Sequence, residues 1–126
     1  MRAILLLFLL FGLALLSFVM AGERSGTLLQ QAPRKFTQLR NPYEGYPAAV
    51  QAGGKLFDRE CAACHGKDAR GIGKAPPLVL PHVYRVAPGA LFWVLRNGSL
   101  KRGMPSYAHL PEQQRWQIVS YVRSLR

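Results

Sequence analysis

Hydrophobic positions fall along this chain in three regimes. From Ala3 to Met20 they form an almost unbroken run, relieved only by Gly12 and Ser17. Between residues 22 and 46 they scatter without a period. From Ala48 they recur at helical spacing in three segments, separated by loops rich in glycine and proline. In "AAVQAGGKLFDREC", Val50, Gly53, Phe57 and Cys61 step by three, four and four, which puts them on one helix face. Pro47 stands where a first helical turn accepts proline. Gly53 and Gly54 inside that helix each cost about 1 kcal/mol relative to Ala. A glycine on the buried face predicts that another helix crosses very close there; a helix delayed to Lys55 is the alternative. "PGALFWVLRNG" predicts a shorter helix from about Pro88 to Arg96, stopped at Gly98. "PEQQRWQIVSYVRSLR" predicts a last helix with an acid in its first turn and arginines in its last, in keeping with the helix dipole. Its apolar stripe is Ile118, Tyr121, Val122 and Leu125, and Leu110 holds the position where Ser, Thr or Asp would cap best. Residues 66–87 and 99–110 read as loops. No strand pattern and no internal repeat is evident, so the fold class is all-α.

The 126 residues allow one domain at most. Residues 1–21 read as a signal peptide or membrane anchor: Arg2 precedes the apolar run, and Ala21 follows Val19 and Met20 as a small residue before a possible cut. The run is long for a signal and just short of a comfortable membrane span, so cleavage and a tether through residues 3–20 both stand. Either one places the rest of the chain outside the cytoplasm, periplasmic or exported, with Arg2 inside. Residues 22–46 read as an irregular leader that wraps the domain through Phe36, Tyr43 and Tyr46, and residues 47–126 as the folded domain.

Without Arg2, 16 Lys and Arg face 6 Asp and Glu, a net charge of +10. That favours an acidic partner or an anionic surface. Nucleic acid is excluded as the partner by the export expectation and by cations spread from Arg24 to Arg126 rather than massed in one block.

The domain is small, and its two loops cannot fill a core by themselves. Chains of this size need disulfides, a metal or a cofactor. Both cysteines of the chain lie in "ECAACHG". A disulfide between Cys61 and Cys64 would close too short a ring to stabilise much. Cys-x-x-Cys-His is the attachment sequence of c-type haem: the two thiols add across the porphyrin vinyl groups and the histidine supplies an axial nitrogen. One covalent haem c through Cys61 and Cys64, with His65 on the iron, would be the missing core. Leu78, Leu80, Val83, Tyr84, Leu100 and Tyr107 would be its walls. A thioredoxin-type pair needs a preceding strand, and a Cys₂His₂ zinc site needs a histidine spacing that His65, His82 and His109 do not provide. For the second axial position the candidates are Met104, His82, His109 or no protein ligand. Met104 is favoured: it sits in "GMPSY", a tight turn where a core-filling methionine has no periodic neighbours, and a thioether opposite histidine raises the reduction potential.

These segments together resemble a class I cytochrome c domain of the bacterial periplasmic type, from about Ala48 to Leu125. Gly53 and Phe57 before the first cysteine resemble the family's N-terminal helix, and Ile118 and Tyr121 its C-terminal helix. The resemblance implies a cytochrome c fold of three to five short helices wrapped around one haem. It implies Cys61 and Cys64 as thioether anchors, His65 as proximal ligand and Met104 as distal ligand. It further implies a proline carbonyl, from Pro76 or Pro77, that accepts a hydrogen bond from the histidine Nδ1. With both axial positions filled, the expected function is one-electron transfer rather than catalysis. Lys67, Arg70 and Lys74, with Arg96, Lys101 and Arg102, would ring the approach and steer a redox partner with an acidic docking surface; the plainer reading is solvated loop charge. The two functional classes are an exported electron carrier and a cytochrome subunit of a larger dehydrogenase or oxidase. Phe92 and Trp93 lean toward the second, because neighbours on a helix cannot both be core and one is free to anchor an interface.

Overall fold

The computed structural model describes residues 27–126. The signal-or-anchor expectation for residues 1–21, and the first residues of the leader, lie outside the described residues. A 3₁₀ turn at Leu28–Gln31 is followed by α1 (Arg34–Thr37), α2 (Pro47–Glu60), α3 (Ala62–His65), α4 (Pro81–Tyr84) and α5 (Pro88–Asn97). A second 3₁₀ turn at Leu100–Arg102 precedes α6 (Glu112–Ser124). Three of these helices have ten residues or more and three are single turns. The described residues include no strand, only an isolated bridge between Ser99 and Met104. Among them no helix is long and apolar enough to cross a membrane.

The fold is organised by the crossing of α2 and α6. A Cβ on Gly53 would lie 1.9 Å from the Gln117 carbonyl oxygen, so the two backbones touch where the glycine sits. One turn on, the Phe57 and Tyr121 rings meet with centroids 5.1 Å apart. Helix α2 runs unbroken through both glycines, which disposes of the delayed start at Lys55. Phe57, Ile118 and Val119 are the most deeply buried large side chains. Each such residue withdrawn from water contributes about 1.5–3 kcal/mol. Helix α5 packs against α6 from another side, with Phe92 stacked on Trp116 at 4.1 Å and 17°. Because α6 is covered on two sides, its buried set is wider than one stripe and takes in Arg115, Trp116, Val119 and Ser120.

The leader is more ordered than its sequence suggests. Around α1 it lies so close to α5 that a Cβ on Gly89 would stand 1.8 Å from the Phe36 carbonyl oxygen. Phe36 and Tyr43 pack against the core as expected, whereas Tyr46 is exposed and only leads into α2. Asn41 is buried, and its Nδ2 donates to the Ser120 Oγ (2.8 Å) and the Trp116 carbonyl (3.2 Å). Arg123 donates to the Val86 carbonyl and pairs with Glu44 at 3.2 Å. The loop expected over residues 66–87 contains α4, a single turn begun by Pro81 that buries Val83. At the start of α6 the boundary residue is Pro111, not Leu110; Leu110 turns into the core instead.

Candidate functional site

Helix α2 delivers the Cys-x-x-Cys-His turn. The Cys61 N–H closes the last turn of α2 on the Phe57 carbonyl (2.8 Å). The Cys61 carbonyl then accepts from the N–H groups of Cys64 (3.1 Å) and His65 (2.9 Å), which winds residues 62–65 into α3. Neither cysteine is in a disulfide; Cys61 is buried and Cys64 exposed. Burial, and then the charges of Glu60 and Cys64, push the Cys61 thiol up to about 12. Redox-active dithiols instead carry a depressed thiol pKa, so this environment and the helix in front of it oppose a thioredoxin-type pair.

His65 is half-buried, with Nδ1 2.9 Å from the Pro76 carbonyl oxygen. A carbonyl only accepts, so Nδ1 carries the proton and Nε2 keeps the lone pair that binds metal. Of the two prolines that the doubled motif left open, Pro76 makes the bond. It is brought there by the return of the chain: Gly71 N–H donates to the His65 carbonyl (2.7 Å), Ile72 N–H to that of Cys64 (3.1 Å), and Leu78 N–H to that of Ala69 (2.8 Å).

Met104 lies on the other loop, half-buried against the core cluster. Its backbone is paired both ways with Ser99 at 2.8 and 3.1 Å. Downstream, Ser106 Oγ donates to the Arg96 carbonyl (2.6 Å) and Tyr107 N–H to that of Leu95 (2.8 Å). The Tyr107 hydroxyl donates to the Glu60 carbonyl (2.9 Å), one residue before Cys61. This bond ties the Met104 loop to the cysteine turn. The sequence offered Tyr107 only as wall; its spacing from Glu60 carries no local signal. The Tyr107 phenol is pushed above its ordinary value by burial first, then by Cys61, Cys64 and Glu60.

Of the other expected walls, Val83 is buried and Leu78 packs against the core, while Leu80 and Leu100 are exposed, Leu100 at 86%. Tyr84 departs from that role. It lines a surface groove of about 660 Å³ with Asn41, Glu44, Arg85, Ser120 and Arg123, which includes neither the cysteine turn nor Met104. His82 and His109 are exposed, and among the described residues no three His, Cys, Asp or Glu side chains converge as a metal site. The six rim cations, Lys67, Arg70, Lys74, Arg96, Lys101 and Arg102, are all exposed. Phe92 is core and Trp93 is half-buried.

The donors fit a covalently attached haem. Two unpaired thiols lie one helical turn apart, beside an imidazole whose tautomer is fixed. A thioether sits on a loop fastened at several backbone points. Leu78, Val79, Met104 and Tyr107, all from the two loops, are only partly buried against the core.

Residues 48–122 match the family described as cytochrome c oxidase, cbb3-type, subunit III. The chain is 35% identical over 92 residues to cytochrome c550 of Pseudomonas aeruginosa, covering 68% of this chain and 62% of that protein. It is 36% identical over 90 residues to the quinohemoprotein alcohol dehydrogenase ADH-IIG of Pseudomonas putida, covering 68% of this chain and 12% of that one. The chain thus spans less than two thirds of either relative. Among solved structures, cytochrome CL of the marine methylotroph Methylophaga aminisulfidivorans matches with a TM-score of 0.59 and 26% identity, over 82% of this chain and 69% of that one. The all-helical architecture, the Cys-x-x-Cys-His turn and these likenesses converge: the chain belongs to the class I monohaem c-type cytochromes, which carry covalently bound haem c and transfer electrons.

Proposed function

We propose that Cys61 and Cys64 form the thioethers to haem c, that His65 Nε2 is the proximal ligand and that Met104 is the distal one. We propose that the protein works as an electron carrier outside the cytoplasm, delivered there by residues 1–21. The observation that carries the ligand assignment is the hydrogen bond from His65 Nδ1 to Pro76. It fixes the ring's orientation and increases the basicity of Nε2. The bound haem supplies one-electron redox chemistry, tuned by its axial ligands. The Ser99 pairing and the Tyr107 hydroxyl keep the Met104 loop against the cysteine turn, where Met104 and His65 would together hold the iron and exclude a substrate from it. The exposed rim cations support docking on an acidic redox partner.

The test is made on holoprotein matured in a host that attaches haem c. On a denaturing gel the wild-type band keeps its haem, while Cys61→Ala with Cys64→Ala loses it. Reduced wild type does not bind carbon monoxide promptly, whereas Met104→Ala does. Unchanged carbon monoxide binding in Met104→Ala would remove Met104 from the iron.

A second reading is favoured by one observation. Phe92 is occupied by its stack on Trp116, so Trp93, half-buried on the same helix, is the aromatic left to anchor a partner. The dehydrogenase relative has its matching segment as 12% of its length, which supports a role as the cytochrome subunit of a larger exported oxidoreductase. Co-purification with a large redox subunit, abolished by Trp93→Ala, decides for it; a single small species in the native host decides for the free carrier.

A further inference from the structure

Among the described residues, Arg115 is the only buried charged side chain, 8% exposed. Arginine cannot lose its proton in a protein, so this is a permanent cation in the interior. Buried charges are ordinarily paired, but the ion pairs among the described residues belong to Arg59, Arg70 and Arg123. The carboxylate one turn away, Glu112, accepts a bond from Trp116 Nε1 at 3.4 Å. What Arg115 has instead are two neutral carbonyls, Ala108 (2.9 Å) and Leu110 (2.8 Å), and the face of the Phe92 ring at 5.1 Å. Its Nε has no hydrogen-bond partner. As a stabilising device this is poor, since an apolar side chain of similar volume would serve the core as well or better.

The two carbonyls show where the cation acts. Ala108 and Leu110 form the exit of the segment that begins at Met104. Its start is held by Ser99, and its middle by Ser106 on Arg96 and Tyr107 on Leu95 and Glu60. Ala108 N–H donates to Ser106 Oγ and Leu110 N–H to the Tyr107 carbonyl, and Arg115 fastens this exit to α6 through the two carbonyls.

We propose that Arg115 is a positioning residue for the distal side of the site: it locks the exit of the Met104 loop, and its charge, paired with no carboxylate among the described residues, raises the reduction potential. This rests on Met104 being the distal ligand. Reduction adds an electron, so a fixed cation in a low-dielectric interior favours the ferrous state. Because the charge is buried, added salt screens it far less than it screens surface cations.

The experiment uses haem-loaded Arg115→Gln and Arg115→Lys, with Ser106→Ala as a loop-loosening control that leaves charge untouched. Arg115→Gln is expected to shift the ferrous-to-ferric ratio at fixed applied potential three- to tenfold toward ferric, tenfold being about 59 mV for one electron. Arg115→Lys keeps that ratio within about twofold of wild type. Cyanide binding to the ferric form is expected to be at least tenfold faster in Arg115→Gln. A ratio within twofold of wild type in Arg115→Gln overturns the charge claim, and unchanged cyanide kinetics overturn the lock. If Ser106→Ala shifts the ratio as far as Arg115→Gln, a structural cause is sufficient and the charge claim fails. A further readout needs no variant: in wild-type holoprotein the Arg115 guanidinium protons exchange with solvent at least a hundredfold more slowly than those of exposed Arg102, and equal rates overturn the proposal. Failure of the Met104 assignment is seen separately, as a red thioether-to-iron band that survives in Met104→Ala.

Discussion

An alanine at position 53 would place its methyl carbon 1.9 Å from the Gln117 carbonyl oxygen and 2.9 Å from the Tyr121 Cβ. Backbone cannot yield as a side-chain tip can, so α2 and α6 would have to part. Gly53→Ala is therefore predicted to cost about 3 kcal/mol, read as a lower denaturant midpoint of the ferric holoprotein. At Gly54 the added methyl meets only the Tyr121 ring edge, at 3.2 Å. Helix propensity returns about 1 kcal/mol there, so Gly54→Ala should lose less than half as much; equal losses would show that the crossing is not set by Gly53. Tyr121, the ring between these positions, has its phenol raised above 10.0 by burial first and by Asp58 second. Its contribution to stability is present in full below the ordinary value of 10.0 and is lost as pH rises through the raised one, because the unfolded chain gives up the proton first. Tyr121→Phe should flatten part of the decline in denaturant midpoint above pH 10.0; an unaltered slope would mean that this phenol does not couple to folding. The residue pattern made the crossing legible, since a glycine on a buried helix face makes room for a neighbouring backbone and for little else. Which proline accepts the hydrogen bond from His65 Nδ1 was not legible, because it depends on how residues 66–78 fold back, and the positive-φ turns at Gly66, Gly71 and Gly73 that make the return show in the sequence only as loop glycines.

For the elements, the three long helices could be read from period and punctuation, and the single turns could not. Four residues such as those of α4 are too few to show a 3.6-residue period, and Pro81 reads as a breaker even where it begins a turn. The leader was hidden for a different reason. Its order comes from Asn41, a polar residue that carries no hydrophobic signal, reaching 79 positions along the chain to Ser120 and also bonding the Trp116 carbonyl. Stripping that amide leaves the buried Ser120 hydroxyl without a donor and the Trp116 carbonyl with one bond fewer, the Ser120 Oγ bond to that carbonyl (3.2 Å) remaining. Asn41→Ala is predicted to cost about 1–3 kcal/mol and to expose residues 27–40 to protease while the haem stays bound. If protease cuts wild type and variant equally fast, the leader is held by Phe36 and Tyr43 alone. The two loops were legible apart from the turn at Pro81–Tyr84, and Met104 stood out as a candidate by its turn residues, but the fastening of its loop through Tyr107 and Arg115 is a product of tertiary approach.

Across the whole molecule, one sign of charge prevails: with a net of +10 outside residues 1–21, the six rim cations, five on the loops and Arg96 on α5, are all exposed, and the exposed acid among them, Asp68, pairs loosely with Arg70 at 3.9 Å. Total charge and local charge make different predictions. If only the net charge matters, every exposed cation is equivalent in attracting an anion. If electrons pass near the loops, those close to the site dominate, because screening shortens the reach of each charge from about 30 Å at 0.01 M salt to about 8 Å at 0.15 M. Lys101 belongs to the turn just before Met104, whereas Arg85 lines the groove that holds none of the site residues. Lys101→Glu and Arg85→Glu change the net charge equally. With the ferrocyanide anion as electron donor, Lys101→Glu should slow reduction several-fold at low salt and Arg85→Glu much less, the two converging at 0.15 M as the field is screened. With a ruthenium hexaammine cation the order should invert, Lys101→Glu now being the faster. Equal effects of the two substitutions on both donors would make the rim a solvated surface with no part in steering, and the acidic partner would lose its main support.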